Sequence, residues 1–220
     1  MVMDEEKLAR FWELNVPQEF KHYVGSKFDS KSEKCVRDAR LNILDKIDFS
    51  GVDSGFEWGC GGGLISNELA KRCKAVGALD ISRTSLEKCE EFLSRNGHEL
   101  AEAVLLDSLD SLDIKNHYDL LVSVSVIQHF PSYEYFKRVV TKWMEMRPAW
   151  VGIQTRHGES VKYNEQEYFD GVRNYILGLI MPTDVVIESF ASHYDVIYNY
   201  LDNDGYSMYE YFVFKRKAAV

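Results

Sequence analysis

The residues best suited to chemistry in this chain of 220 residues lie in one run, Phe56-Glu57-Trp58-Gly59-Cys60-Gly61-Gly62-Gly63. Glycines let a backbone turn tightly and approach a ligand with no side chain between. A helix starting behind such a turn offers unpaired N–H groups. The run is not a dinucleotide fingerprint, because Leu64 or Ser66 stands where the third glycine of Gly-x-Gly-x-x-Gly is needed. It is not a phosphate loop either, because no Gly-Lys-Ser/Thr follows. What it does spell is acid-x-Gly-x-Gly-x-Gly, with Asp80 further on at the end of the next expected strand. A carboxylate there can accept both ribose hydroxyls of a bound nucleoside. Asp107 ends the third expected strand and either reaches an adenine amino group or stands in solvent. Glu57, below the loop, can compensate a ligand ammonium. No Lys or Arg occurs from Phe56 to Leu69, so the run suits a positively charged nucleoside without phosphates.

Each feature has a plainer alternative. The glycines can serve a tight turn that packs a helix on a sheet, and Asp80 can be a helix N-cap, although Ser82 and Thr84 already offer caps. Cys60 reads as a small packing residue facing the loop. His129 and His157 follow expected strands and can act as general bases near neutral pH, or else are structural and solvated histidines. Ser125 and Gln128 line the same strand end as His129, and Arg156 precedes His157 at the edge where open α/β sheets bind ligands. All but Tyr23 of the 13 tyrosines follow residue 117. Tyr168 and Arg173 lie in a stretch that can form an aromatic lid over a cationic centre, or an ordinary amphipathic helix.

The elements that must position these groups follow from periodicity. A short apolar stripe at Leu8, Phe11 and Trp12 predicts a helix interrupted near Pro17, and a second stripe runs from Cys35 to Ile47 after Ser32. From Gly51 the chain alternates: strands are expected at 51–58, 75–80, 102–107, 118–127 and 149–155, and helices at 64–73, from Ser82 or Thr84, and from Pro131-Ser132. Thr84 and Glu87 have capping-box spacing. The alternation predicts a parallel sheet with helices on both faces. Residues 164–181 read as an inserted helix, 183–193 as another, and two alternating runs around Asn203-Asp204-Gly205 as a closing antiparallel hairpin. The expected organisation is a helical cap over residues 1–49 and one α/β domain over 50–220, with a lid at about 160–182.

Composition narrows the function classes. The chain is 45% apolar and 28% charged, enough to bury a core without staples. Lys and Arg number 26 against 35 Asp and Glu, a net charge of −9 that argues against a phosphate-backbone partner. No apolar run approaches the ~18 residues that span a bilayer. The four cysteines, Cys35, Cys60, Cys73 and Cys89, contain no Cys-x-x-Cys pair, which fits a reducing, cytoplasmic setting. No ligand set for a metal is evident.

In register, FEWGCGGGLISNELA, AVGALDIS, VLLDSL and YDLLVSVSVIQHFP resemble the successive motifs of class I S-adenosylmethionine-dependent methyltransferases. The resemblance covers roughly residues 50–155, with Glu57 standing where the family often has Asp. It implies a Rossmann-like sheet of seven strands, mostly parallel, with an antiparallel C-terminal hairpin strand. It implies S-adenosylmethionine as cofactor, S-adenosylhomocysteine as product, and no metal. Cofactor contacts are then expected at Glu57, Gly59, Cys60, Gly61, Gly63, Asp80, Ile81, Asp107, Ser108 and Ser125. Substrate contacts are expected at Gln128, Arg156, Tyr168 and Arg173, with His129 and His157 as bases. N-terminal helices commonly cap the cofactor in that family, a role for Trp12 or Tyr23 here. The expected acceptor is a small polar molecule methylated on oxygen or nitrogen, such as a sugar or secondary metabolite. The alternatives are a protein or nucleic-acid methyltransferase and a non-catalytic binding module. Strand 4 reads SVSVIQH where nucleic-acid amino-methylating enzymes usually carry Asn/Asp-Pro-Pro-aromatic.

Overall fold

In the computed structural model, residues 5–15, 40–158, 179–203 and 208–218 are described. Strands β1 (Ser54–Trp58), β2 (Ala75–Asp80), β3 (Glu102–Leu105), β4 (Leu120–Ser123) and β5 (Trp150–His157) run parallel. Strands β7 (Tyr194–Asn203) and β8 (Met208–Arg216) close the sheet antiparallel, in the order β3-β2-β1-β4-β5-β8-β7. A two-residue β6 (Ile180–Met181) adds to the end of β5, pairing at Arg156 and His157. The order reverses between β1 and β4, the switch point at which open α/β sheets take ligands.

Helices join the strands where caps and apolar stripes demand them. Helix α1 (Glu5–Asn15) buries Leu8 and Phe11. Helix α2 (Leu64–Ala70) follows the glycine run, with Gly63 left-handed at its start. Helix α3 (Arg83–Arg95) is capped by Ser82, whose side chain accepts from Ser85 N–H. Thr84 is therefore not the cap. Helix α4 (Tyr133–Met146) is capped the same way by Ser132, and α5 (Thr183–Phe190) precedes β7. Replacing a serine cap by alanine typically costs about 1 kcal/mol.

The two sheet faces bury separate cores. On one face Trp58, Trp143, Phe190 and Phe214 form a chain of rings at centroid spacings of 5.7, 6.2 and 4.2 Å. Each such pair is worth about 0.5–1.5 kcal/mol beyond its buried area. On the other face Ile43 and Leu44 join Ile65, Leu69, Val122 and Val213. Alternation along β1 thus sends Phe56 and Trp58 to one core and turns Glu57 toward α2, where Ser66 bonds it.

Two expected elements differ. The fourth strand ends at Ser123 rather than Ile127, because Ser125 takes φ 63° and Ile127–His129 wind into a 3₁₀ turn. The expected helix over 164–181 ends instead in strand β6, while residues 159–178, including Tyr168 and Arg173, lie outside the described residues. So do residues 16–39, where the second stripe begins.

Candidate active site

The glycine run folds over the end of β2. Gly59 and Cys60 N–H donate to Leu79 O at 2.7 and 3.0 Å, and Gly63 N–H returns to Cys60 O at 2.8 Å. Gly59, at φ 79°, lies against the β4 turn: a Cβ there would stand 2.4 Å from Val126 Cγ2. Gly61 differs. At φ 48°, a Cβ built on it meets nothing within 4 Å, so its outer side opens onto free space.

Asp80 ends β2 directly beneath that opening. Its Oδ2 accepts from Gly61 N–H at 2.8 Å and its Oδ1 from Ser82 N–H at 2.9 Å. Burial lifts its carboxyl to about 6, against the pull of the Ser82, Gly61 and Ile81 backbone N–H groups, with the Glu13 charge adding to the rise. A carboxylate oxygen has two lone pairs, so each can take a further donor. Asp80 is therefore a clamp between loop and helix rather than an N-cap, since Ser82 fills that role.

Glu57 is buried, its Oε2 taking both N–H and hydroxyl of Ser66. Burial pushes its carboxyl up to about 8, with the Ser66 bonds opposing and the Asp80 charge adding. Two buried acids under a loop without a cation favour their protonated forms, and a positively charged ligand beside them would favour the ionised ones. Nearby, Asn67 Oδ1 is buried without a hydrogen-bond partner. Cys60 is buried against Cys89, whose bond, together with burial, drives its thiol well up, so it packs rather than reacts. Asp107 is exposed on the loop after β3, and Ser108 Oγ accepts from Asp110 N–H at 3.2 Å.

Beyond β4, Ser125 is held in its bend by one side chain. Its N–H and hydroxyl both donate to Gln154 Oε1, at 2.7 and 3.1 Å, and Gln154 Nε2 donates to Tyr211 Oη at 2.7 Å. A non-glycine residue at such a φ persists only when its surroundings hold it there. Gln128 O accepts from Leu179 N–H at 2.8 Å, while its buried Oε1 has no hydrogen-bond partner. His129 packs edge-on to Trp12 at 4.7 Å, and burial, then the Arg156 and Arg40 charges, lowers its imidazole to about 4. A base so weak is a poor match for abstracting a proton near neutral pH.

The two residues at the end of β5 point to opposite faces. Arg156 lies across from Tyr209 in the register with β8. His157, partly exposed, places Nδ1 2.9 Å from Oε2 of buried Glu210.

Helix α1 ties the carboxyl-edge loops together. Glu5 accepts from Leu109 N–H and pairs with Arg138, Trp12 meets His129, and Glu13 accepts from the hydroxyls of Ser82 and Thr84. Sequence reasoning singled out Trp12 but missed Glu13, Gln154 and Glu210. A signal for Glu210 existed: it shares strand parity with buried Phe212 and Phe214, where a carboxylate is out of place.

The residues present fit S-adenosylmethionine: an acid for the ribose at Asp80, an opening at Gly61, and buried carboxylates rather than cations beside the loop. The fold and the placement of these residues are similar to those of solved S-adenosylmethionine-dependent methyltransferases. Residues 56–146 match the family model described as a methyltransferase domain. A ubiquinone biosynthesis O-methyltransferase of Rickettsia conorii is 27% identical over 155 residues, covering 69% of this chain and 47% of that protein. The chain spans less than half the length of the first curated relatives it matches. Among solved structures, magnesium protoporphyrin IX methyltransferase from Synechocystis PCC 6803 with bound S-adenosylmethionine shares the fold. Its TM-score is 0.69 at 11% identity, over 98% of this chain and 99% of that one. The N-methyltransferase NodS from Bradyrhizobium japonicum, in complex with S-adenosylhomocysteine, gives 0.66 at 13% identity over 93% and 100%. Among the described residues no helix is long and apolar enough to cross a membrane, and no group of three or more His, Cys, Asp or Glu is placed to hold a metal.

Proposed function

We propose that this chain moves the methyl group of S-adenosylmethionine onto an oxygen or nitrogen of a small polar molecule. The observation that carries the reading is Asp80, a buried carboxylate at the tip of β2 that already grips Gly61 and Ser82 and opens beside an unobstructed glycine. In this reading Asp80 takes the ribose hydroxyls and the Gly59–Gly63 turn lies under the nucleoside. Glu57 lies beneath the methionine end. The bound sulfonium supplies an already activated methyl group, so the protein's task is alignment of acceptor and donor. The Ser125–His129 turn and the end of β5 form the wall against which an acceptor is held. Gln128 and Arg156 are the described candidates for its polar groups. Small-molecule rather than nucleic-acid substrate is supported by the net charge of −9 and by the similarity to the ubiquinone biosynthesis O-methyltransferase and the magnesium protoporphyrin IX methyltransferase.

The test is calorimetric titration of the chain with S-adenosylmethionine and, separately, with NAD, followed by an assay of S-adenosylhomocysteine release with small-molecule and macromolecular acceptors. Binding of S-adenosylmethionine and turnover with small molecules is the expected result. A preference for NAD, or turnover with proteins or nucleic acids only, refutes the reading.

A further inference from the structure

Glu210 is a buried carboxylate in a strand whose other residues from Tyr209 to Phe214 are aromatic or aliphatic. Burying an ionised carboxyl is costly unless hydrogen bonds replace its water. Here three donors from three different elements do so. Thr183 Oγ1, at the start of α5, donates to Oε2 and Oε1 at 2.8 and 3.0 Å. Asn199 Nδ2, on β7, donates to Oε1 at 2.9 Å. The remaining partner is His157 Nδ1, at the end of β5, 2.9 Å from Oε2. A carboxylate only accepts, so His157 must carry its proton on Nδ1, and the lone pair of the neutral ring is then on Nε2. Thr183 Oγ1 is also 3.3 Å from Nδ1, which pins the same side of the ring.

The place of this pair matters as much as its bonding. Strand β5 pairs with β4 as far as Ser123–Ile153 and then continues to His157, beyond the level where β4 turns away. Strand β6 pairs with β5 at Arg156 and His157, and the residue before it, Leu179, bonds to Gln128 O in the turn after β4. One short segment therefore separates His157 from the Ser125–His129 wall. Of the two histidines at this edge, His129 is packed on Trp12, whereas His157 is partly exposed and braced from behind.

We propose that Glu210, braced by Thr183 and Asn199, is the positioning residue that turns His157 Nε2 toward the acceptor, so that the pair serves methyl transfer to a hydroxyl group. The inference rests on the methyl-transfer reading above and deepens it by naming the acceptor class. An alcohol or phenol attacks poorly while protonated, so a base held at its proton assists directly. In the step, the hydroxyl oxygen's electron pair forms the new O–C bond and the C–S bond breaks with its pair passing to sulfur, which becomes a neutral thioether. The hydroxyl proton passes to His157 Nε2, and the imidazolium formed is stabilised by Glu210 until solvent takes the proton. The arrangement parallels the acid–imidazole pairs that hold one tautomer in hydrolytic triads.

The test uses the full chain labelled with ¹⁵N-histidine, together with the variants Glu210→Gln, Glu210→Asp and His157→Gln. Two-bond ¹H–¹⁵N spectra should show His157 protonated on Nδ1 in the parent chain and a changed tautomer distribution in Glu210→Gln. Calorimetry with S-adenosylmethionine should give affinities within threefold of the parent for every variant. With catechol, 3,4-dihydroxybenzoate and matched aniline probes, transfer should occur to the hydroxyl probes. Its kcat should fall at least tenfold in Glu210→Gln with KM for S-adenosylmethionine unchanged, with part of the rate restored in Glu210→Asp. The Glu210→Gln, His157→Gln double variant should be no slower than His157→Gln alone, as expected of residues acting as a unit. Protonation on Nε2 in the parent chain, transfer to anilines only, no transfer to any hydroxyl probe, or an unchanged kcat in folded Glu210→Gln overturns the proposal. A chain that binds no S-adenosylmethionine refutes the methyl-transfer reading itself, which the spectra leave separate.

Discussion

Replacing Asp80 by asparagine separates ligand binding from folding, and the magnitudes follow from the hydrogen bonds around it. The carboxylate accepts from Gly61 and Ser82 N–H at 2.8 and 2.9 Å. Asparagine keeps one acceptor oxygen but turns an NH₂ toward the other donor, a mismatch costing about 1–3 kcal/mol. Against this, burial lifts the carboxyl from 3.8 to about 6. Each pH unit of that rise is about 1.4 kcal/mol, so removing the charge at pH 8 relieves about 3 kcal/mol. The two effects nearly cancel, and Asp80→Asn should melt within a few degrees of the parent. Binding has no such compensation. Hydrogen bonds to a charged acceptor contribute about 1.5–3 kcal/mol, roughly twice those to a neutral one. Two ribose hydroxyls facing asparagine thus lose about 1.5–3 kcal/mol in total, a drop in affinity of about 10- to 100-fold. Calorimetric titration with S-adenosylmethionine at pH 8, beside a thermal melt, reads both quantities. An affinity within threefold of the parent in a folded variant refutes the assignment of Asp80 to the ribose. Asp80→Ala is the less informative change, because it leaves both backbone donors without an acceptor.

Other outcomes are expected of the same geometry. Glu57 and Asp80 have carboxyls raised to about 8 and about 6. At these two groups the folded, ligand-free chain holds protons that the unfolded chain releases, so they make stability fall as pH rises from about 4 to 8, partly offset below about 6.5 by His129, which is neutral when folded. Urea midpoints at pH 5, 6.5 and 8 check the sign. A cationic ligand that restores the ionised acids should release protons on binding, read as a dependence of the binding enthalpy on buffer ionisation heat. Gly59→Ala puts a methyl 2.4 Å from Val126 Cγ2 at a left-handed φ, whereas Gly61→Ala meets no atom. The former should lose at least 1 kcal/mol more stability than the latter in urea denaturation, while both weaken S-adenosylmethionine binding. Trp143→Ala, which empties the middle of the ring chain between Trp58 and Phe190, should cost about 3–5 kcal/mol by the same measurement.

Local signals in the chain were legible where local physics decides. Ser82 and Ser132 are caps because a short hydroxyl before an apolar stripe satisfies an N–H that nothing else reaches. Strand β2 and its terminal acid follow from a small, apolar run that only a doubly covered sheet accommodates. Strand 4 was over-extended because Val124, Val126 and Ile127 favour extended backbone, and the bend at Ser125 depends on Gln154, which is remote in sequence. The same distance hid the partner of His157: an imidazole and a carboxylate on β5 and β8 meet only through antiparallel register. His129 and His157 look alike in the sequence, yet one is buried against Trp12 and the other is partly exposed beside Glu210.

The chain of bonds from Tyr211 through Gln154 to Ser125 bears on the order in which the molecule becomes competent during synthesis. The glycine turn and Asp80 leave the ribosome early, but the bend that forms the neighbouring wall is secured by a hydroxyl on the final strand. Before β8 docks, Gln154 lacks its Tyr211 partner and the Ser125 bend lacks that anchor. The bend after β4 is thus anchored only once the antiparallel edge of the sheet has docked, which ties the shape of that turn to the pairing of β5 with β8.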